Sequence, residues 1–133
     1  MPDYVLDSYA LLAYFNSEEG DDVVKELLNT ALNGEVTLYL SLINLGEIYY
    51  LIRRRRGMEK AQETLETLRS LPVTLCNVSE ARVLAAADFK AEYPISYADA
   101  FAAALAQELG ATLVTGDPEF KKLEPVFTIS WLP

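Results

Sequence analysis

Histidine is absent from this 133-residue sequence. That removes Ser–His, Cys–His and imidazole-base mechanisms and every His-ligated metal site. Cysteine occurs once, at Cys76, so neither a disulfide framework nor a Cys-based zinc site can form within the chain. Cys76 lies in the apolar run Pro72 to Val78, where a small core residue is expected. The six glycines form no Gly-x-Gly-x-x-Gly or Walker-type loop, so a nucleotide fold of those kinds has no support. The longest run without a charge is Val36 to Gly46, far short of the roughly 20 residues that span a bilayer. The start, Met1-Pro2-Asp3-Tyr4, has no basic region followed by an apolar stretch, and cytoplasmic residence is the expectation. Chemistry here has to come from carboxylates, hydroxyls, lysines or arginines.

Positive charge is also scarce. Twenty acids against 11 bases give a net charge of −9, whereas a generic nucleic-acid binder neutralises phosphates with an excess of bases. The balance argues against sequence-blind binding to polyanions. It leaves room for a local metal-loaded site, because a divalent cation reverses the field around it.

The length suits one domain, and no repeat, linker or low-complexity stretch divides residues 1–133. Tyr4-Val5-Leu6 reads as a short strand ending at Asp7, followed by a helix through Phe15. Asp21 to Asn33 carries a one-sided apolar stripe stopped by Gly34. A strand over Val36 to Leu40 leads to a helix over Leu42 to Arg56, with Ser41 as its N-cap and Gly57 beyond its end. Further helices are expected over Met58 to Leu71, from Ser79 to Tyr93, and over Tyr97 to Leu109. Further strands are expected over Val73 to Val78, Thr112 to Thr115 and Val126 to Ile129. Short apolar strands alternating with helices predict a three-layer α/β/α domain with a parallel sheet of four or five strands.

In such a sheet, functional groups gather beyond the carboxyl ends of the strands, where strand order reverses. Asp7 ends the first strand, and Asp117 follows the Thr112 strand by two residues. Glu47 lies in the second turn of the helix leaving the second strand, and Asp99 in the first turn of the helix feeding the Thr112 strand. All four acids can therefore meet on one rim. Two unit charges about 4 Å apart repel by about 4 kcal/mol at an effective dielectric near 20. Convergence thus calls for protonation or a cation, and all-oxygen ligation selects hard ions, Mg²⁺ or Mn²⁺. Each acid also has a plain structural role to weigh. Asp7 suits an N-cap, Asp99 completes a capping-box-like Ser96-Tyr97-Ala98-Asp99, and Asp117 suits a turn in Gly116-Asp117-Pro118. Glu47 is the sharper case, a lone charge in the apolar stretch Leu42 to Ile52.

Four segments, taken in order, resemble the PIN-domain ribonucleases, most nearly the toxin subunits of VapBC-type toxin–antitoxin pairs. They are Val5-Leu6-Asp7-Ser8 with Ala10 to Ala13, Leu45-Gly46-Glu47, Ser96 to Phe101, and Leu113-Val114-Thr115-Gly116-Asp117. The resemblance implies a Mg²⁺- or Mn²⁺-dependent endoribonuclease whose metal-binding and catalytic acids fall on Asp7, Glu47, Asp99 and Asp117. The family's supporting hydroxyls fall on Ser8 and Thr115. Asp7 and Asp117 are expected as the principal ligands, with Asp99 and Glu47 direct or through water, and Thr115 orienting a carboxylate or a ligand water. A small antitoxin protein and a second copy of the chain are the implied partners, beside the RNA substrate. Tyr9 departs from the small residue that many relatives have there and would narrow the site mouth.

Arg53 to Arg56 closes the Glu47 helix. Arg54, seven positions from Glu47 and about 10.5 Å along the axis, would suit a substrate phosphate or an acidic partner, with Arg53 beside it. Basic residues also suit a helix C-terminus. The rival function is a non-catalytic or receiver-like acidic α/β binding or signalling domain. A receiver-like pattern would need an acid next to Asp7 and a lysine after the last strand, and the sequence has neither.

Overall fold

The computed structural model describes residues 2–133. Five strands make one all-parallel sheet: β1 (Asp3–Leu6), β2 (Thr37–Ser41), β3 (Thr74–Cys76), β4 (Thr112–Thr115) and β5 (Ile129–Trp131). Their order is β3-β2-β1-β4-β5. The chain therefore builds outward from β1 in one direction and returns to build outward in the other. The reversal lies between β1 and β4, where Val5 pairs with Leu113 and Leu6 with Val114. Six helices cover the sheet: α1 (Ser8–Phe15), α2 (Asp21–Leu32), α3 (Leu42–Arg56), α4 (Met58–Ser70), α5 (Glu80–Glu92) and α6 (Tyr97–Leu109).

The two-residue period of the strands separates two cores. Val5 and Leu113 face one layer, with α6, Ala86 and Phe89 of α5, and Phe120 and Leu123. Leu6, Leu38, Leu40 and Val114 face the other, with residues of α1 to α4 such as Leu11, Val24, Ile48 and Leu68. Cys76 is buried in the first layer, as expected of a small core residue. Helix α6 buries a continuous run from Asp99 to Ala106, mostly alanine, so its backbone lies close on the strands. Gly110 ends it with φ +60°, a conformation that side chains other than glycine rarely adopt.

Helix boundaries follow the caps read from the sequence. Ser41, Ser79 and Ser96 each accept a backbone N–H in the first turn of α3, α5 and α6. One expectation needs correction. The last strand lies at Ile129–Trp131, not at Val126 to Ile129, because Val126 and Phe127 pack against the α6-side core from a loop. The β4–β5 ladder starts only where Leu113 donates to the Thr128 carbonyl. Between Asp117 and that strand, Pro118–Leu123 forms a 3-10 helix that the hydrophobic pattern did not announce. Among the described residues, no helix is long and apolar enough to cross a membrane.

Candidate active site

The four acids expected on one rim lie at the carboxyl ends of β1 and β4, in the second turn of α3 and in the first turn of α6. Asp7 leaves β1 and caps α1, its Oδ1 accepting the Ala10 N–H at 2.9 Å. Its Oδ2 accepts a hydrogen bond from the Thr115 hydroxyl at the end of β4. The same hydroxyl accepts the Asp117 N–H at 3.0 Å. Thr115 thus fastens the two strand ends on either side of the topological reversal.

Asp117 caps the 3-10 helix by accepting the Glu119 N–H at 3.0 Å, with Pro118 fixing the first turn. Asp99 stands in the first turn of α6, and its N–H bonds the Ser96 hydroxyl at 3.1 Å. The capping roles weighed for Asp7 and Asp117 are therefore realised, and they fix where these carboxylates stand. One carboxylate oxygen from each of Asp99, Asp117 and Glu119 lies within 4.8 Å of the others. Sequence reading did not single out Glu119. Its signal was the Pro118-Glu119 step after a capping Asp, which opens a short helix and turns a second acid back toward the first.

Burial sets the electrostatics. Asp7 is 1 % exposed. Its pKa is pushed up to about 7, chiefly by burial, against the downward pull of Thr115 and Ala10 and with the charges of Asp117 and Glu47 adding to the rise. Asp99 goes further, to about 9, through burial, side-chain hydrogen bonding with Glu119, and the charges of Asp117, Asp7 and Glu119. Glu47 is half-buried in the second turn of α3 and stands outside the tight trio, although its charge reaches Asp7. Crowding and desolvation together make protonation the metal-free response of this rim.

Ser8 does not join the rim. Its hydroxyl donates to the Asn44 carbonyl at 3.3 Å and accepts from Asn44 Nδ2 at 3.2 Å. The same Nδ2 donates to the Ala98 carbonyl at 3.1 Å. Fully buried Asn44 therefore ties the residue after Asp7, the first turn of α3 and the residue before Asp99. Its own Oδ1 has no partner. Asn44 was hidden in the apolar stretch that drew attention to Glu47. Arg53 and Arg54 are exposed, and the Arg54 guanidinium sits 5.3 Å from the centre of the Tyr50 ring, a cation–π contact.

A parallel α/β domain with paired carboxylates at its topological reversal is the class that fold and site define. The PIN domain family model matches residues 4–124, and the chain belongs to that family. Among solved structures, it is similar to a chain of VapBC2 from Rickettsia felis, a structure bound to a promoter DNA fragment. That match has 23% identity and a TM-score of 0.79, covering 98% of this chain and 99% of that one. It is also similar to Mycobacterium tuberculosis VapC20, described as a Sarcin-Ricin loop cleaving toxin, at 19% identity and a TM-score of 0.76, covering 98% and 99%. VapBC-1 from nontypeable Haemophilus influenzae matches at 19% identity and a TM-score of 0.71, covering 97% of each chain. Among proteins of curated description, none matches this chain by sequence.

Proposed function

We propose that this chain is a Mg²⁺- or Mn²⁺-dependent endoribonuclease acting in the cytoplasm as a toxin, restrained by a small antitoxin protein and paired with a second copy of itself. The observation that carries this reading is the meeting of Asp99, Asp117 and Glu119 oxygens within 4.8 Å, with Asp7 locked to the neighbouring strand end. Membership of the PIN family and the likeness to VapBC structures support it.

The donor set fits a hard divalent cation: carboxylate oxygens only, with no nitrogen or sulfur. Asp7, Asp99, Asp117 and Glu119 would hold it, with Glu47 near enough to add charge or order a ligand water. Bound there, the cation supplies an activated water for attack on a phosphodiester and offsets the charge that builds in the transition state. The chain's own part is placement. Thr115 keeps Asp7 turned to the rim, the Ala10 N–H holds its other oxygen, and the Glu119 N–H fixes Asp117. Ionised Asp7 and Asp99 are costly while bare, so the rim gives up protons as it takes up metal.

The test is cleavage of 5′-labelled RNA by the purified chain with Mn²⁺, with EDTA, and by Asp7→Asn. The expected result is metal-dependent cutting that leaves 5′-phosphate and 3′-hydroxyl ends and is abolished in Asp7→Asn. Unchanged cutting by that variant would overturn the reading. A non-catalytic binding domain is the second reading, favoured by the capping roles of Asp7 and Asp117. It predicts no specific Mn²⁺ uptake by calorimetry.

A further inference from the structure

Tyr9 stands two residues beyond Asp7 in the first turn of α1, and 41% of it is exposed. Its ring lies against the backbone of Gly116, the residue between Thr115 and Asp117. A Cβ at Gly116 would fall 2.8 Å from the ring's Cζ and 3.0 Å from its Cδ1, closer still to Cε1. Only glycine leaves the ring its place at the edge of the acidic rim. Tyr9 also lines a cavity of about 460 Å³, inside the roughly 300–1,000 Å³ range of small-ligand clefts. Leu12 and Ala13 add apolar lining, Asn16 adds an amide, and Arg55 of α3 adds a cation.

Glu18 and Glu19 also line it. Neither pairs with Arg55, since the ion pairs among the described residues are Lys60–Glu63 and Arg82–Glu108. The guanidinium is therefore uncommitted. Two glutamates beside it make the cavity unfit for a polyphosphate. An aromatic face, an apolar floor and one cation instead suit one base with one phosphate.

We propose that Tyr9 and Arg55 form a nucleotide subsite beside the acidic rim, in which Tyr9 stacks an unpaired base of an RNA strand and Arg55 holds the adjoining phosphate. The subsite rests on the nuclease reading for its place next to the scissile bond. Tyr9 positions substrate and takes no part in bond breaking. An unpaired base is required, because in a duplex the ring faces of a base are covered by its neighbours in the stack. Stacking also explains how a chain of net charge −9 holds RNA with few phosphate contacts.

The experiment has two arms. In the first, a mixed-sequence single-stranded oligoribonucleotide is cleaved with Mn²⁺ by wild type, Tyr9→Phe, Tyr9→Ala, Gly116→Ala and Arg55→Ala. Loss of one base–aromatic stack costs roughly five- to a hundredfold in affinity. Tyr9→Ala and Gly116→Ala should accordingly raise KM about tenfold, and Tyr9→Phe should behave as wild type. A kcat within about threefold separates lost positioning from damaged chemistry. Arg55→Ala should lower the salt slope of binding by about 1.

In the second arm, the fluorescence of oligoribonucleotides carrying a single 2-aminopurine is followed on binding to Asp7→Asn with Mg²⁺. Quenching that disappears in the Asp7→Asn/Tyr9→Ala double variant supports the subsite. Quenching unchanged by Tyr9→Ala, or an unchanged KM, overturns it. If wild type cleaves no RNA yet quenching depends on Tyr9, the subsite stands and the nuclease reading falls.

Discussion

The Thr115 hydroxyl donates to Asp7 across 108 residues of sequence and accepts from the Asp117 backbone in turn. One side chain thus sets the spacing of two carboxylates that belong to different strands. Thr115→Val deletes both bonds at no change of shape. We expect a loss of about 1–3 kcal/mol in stability and a further rise of the Asp7 pKa, since the Thr115 bond pulls it down. Thr115→Ser should restore both. Urea denaturation of the three proteins is the check.

The metal-free protein should grow more stable as the solution is made more acidic. Asp7 titrates near 7 in the folded chain, against a value of 3.8 without its surroundings. The folded state therefore binds the proton more tightly than the unfolded chain does. Ionisation in the fold subtracts stability progressively between about pH 4 and 7, by up to about 4 kcal/mol for this group alone. Asp99, raised to about 9, extends the decline to higher pH. Thermal melts in EDTA should show a higher Tm at pH 5.5 than at pH 8, and Mn²⁺ should close most of that gap. A Tm that rises with pH in EDTA would contradict this.

Asp99→Asn removes one buried charge from the rim. At pH 8 without metal, its Tm should exceed that of wild type, while Mn²⁺ affinity measured by calorimetry falls by roughly tenfold or more. Stability and function would move in opposite directions, as expected where acids are held together for use.

Glu119 and Glu47 can be told apart. Glu119 shares the tight trio with Asp99 and Asp117, whereas Glu47 stands outside it, with its charge felt at Asp7. Glu119→Gln should weaken Mn²⁺ uptake by roughly tenfold, and Glu47→Gln by less. The reverse order, read from calorimetric titrations, would make Glu47 the nearer ligand.

Asn44→Ala should cost about 1–3 kcal/mol, because it leaves the Ser8 hydroxyl and the Ala98 carbonyl without the donor they now share. Guanidinium denaturation measures that loss. The damage should also reach catalysis, since Ser8 adjoins Asp7 and Ala98 adjoins Asp99.

Much of this was legible in the chain itself. Thr115 rests only on the family resemblance, whereas Asp7 and Asp117 could be found because short apolar strands end at or just before them, and Asp99 because Ser96 announces the helix start. These are local signals, readable within a few residues. Glu119 was missed because its importance depends on a 3-10 turn, whose three-residue repeat leaves little hydrophobic trace. Asn44 was missed because a buried amide inside an apolar helix shows its purpose only once two other helix starts arrive beside it. The arginine run stands out in the sequence, yet nothing in it separates Arg54, which stacks on Tyr50, from Arg55, which lines the Tyr9 cavity. Which member of a charged run points where is decided by packing against α1, and no period in the run records it. The β5 boundary slipped because Val126 and Phe127 look like strand residues but bury their side chains from a loop.

The strand order places β1, made first, beside β4, made more than a hundred residues later. A chain still emerging from the ribosome owns Asp7 and Glu47 but lacks the strand that would complete their rim. Synthesis must pass Glu119 before any acidic trio exists. If this protein destroys RNA, everything through Glu119 has to be translated before it acquires the means to attack the message that encodes it.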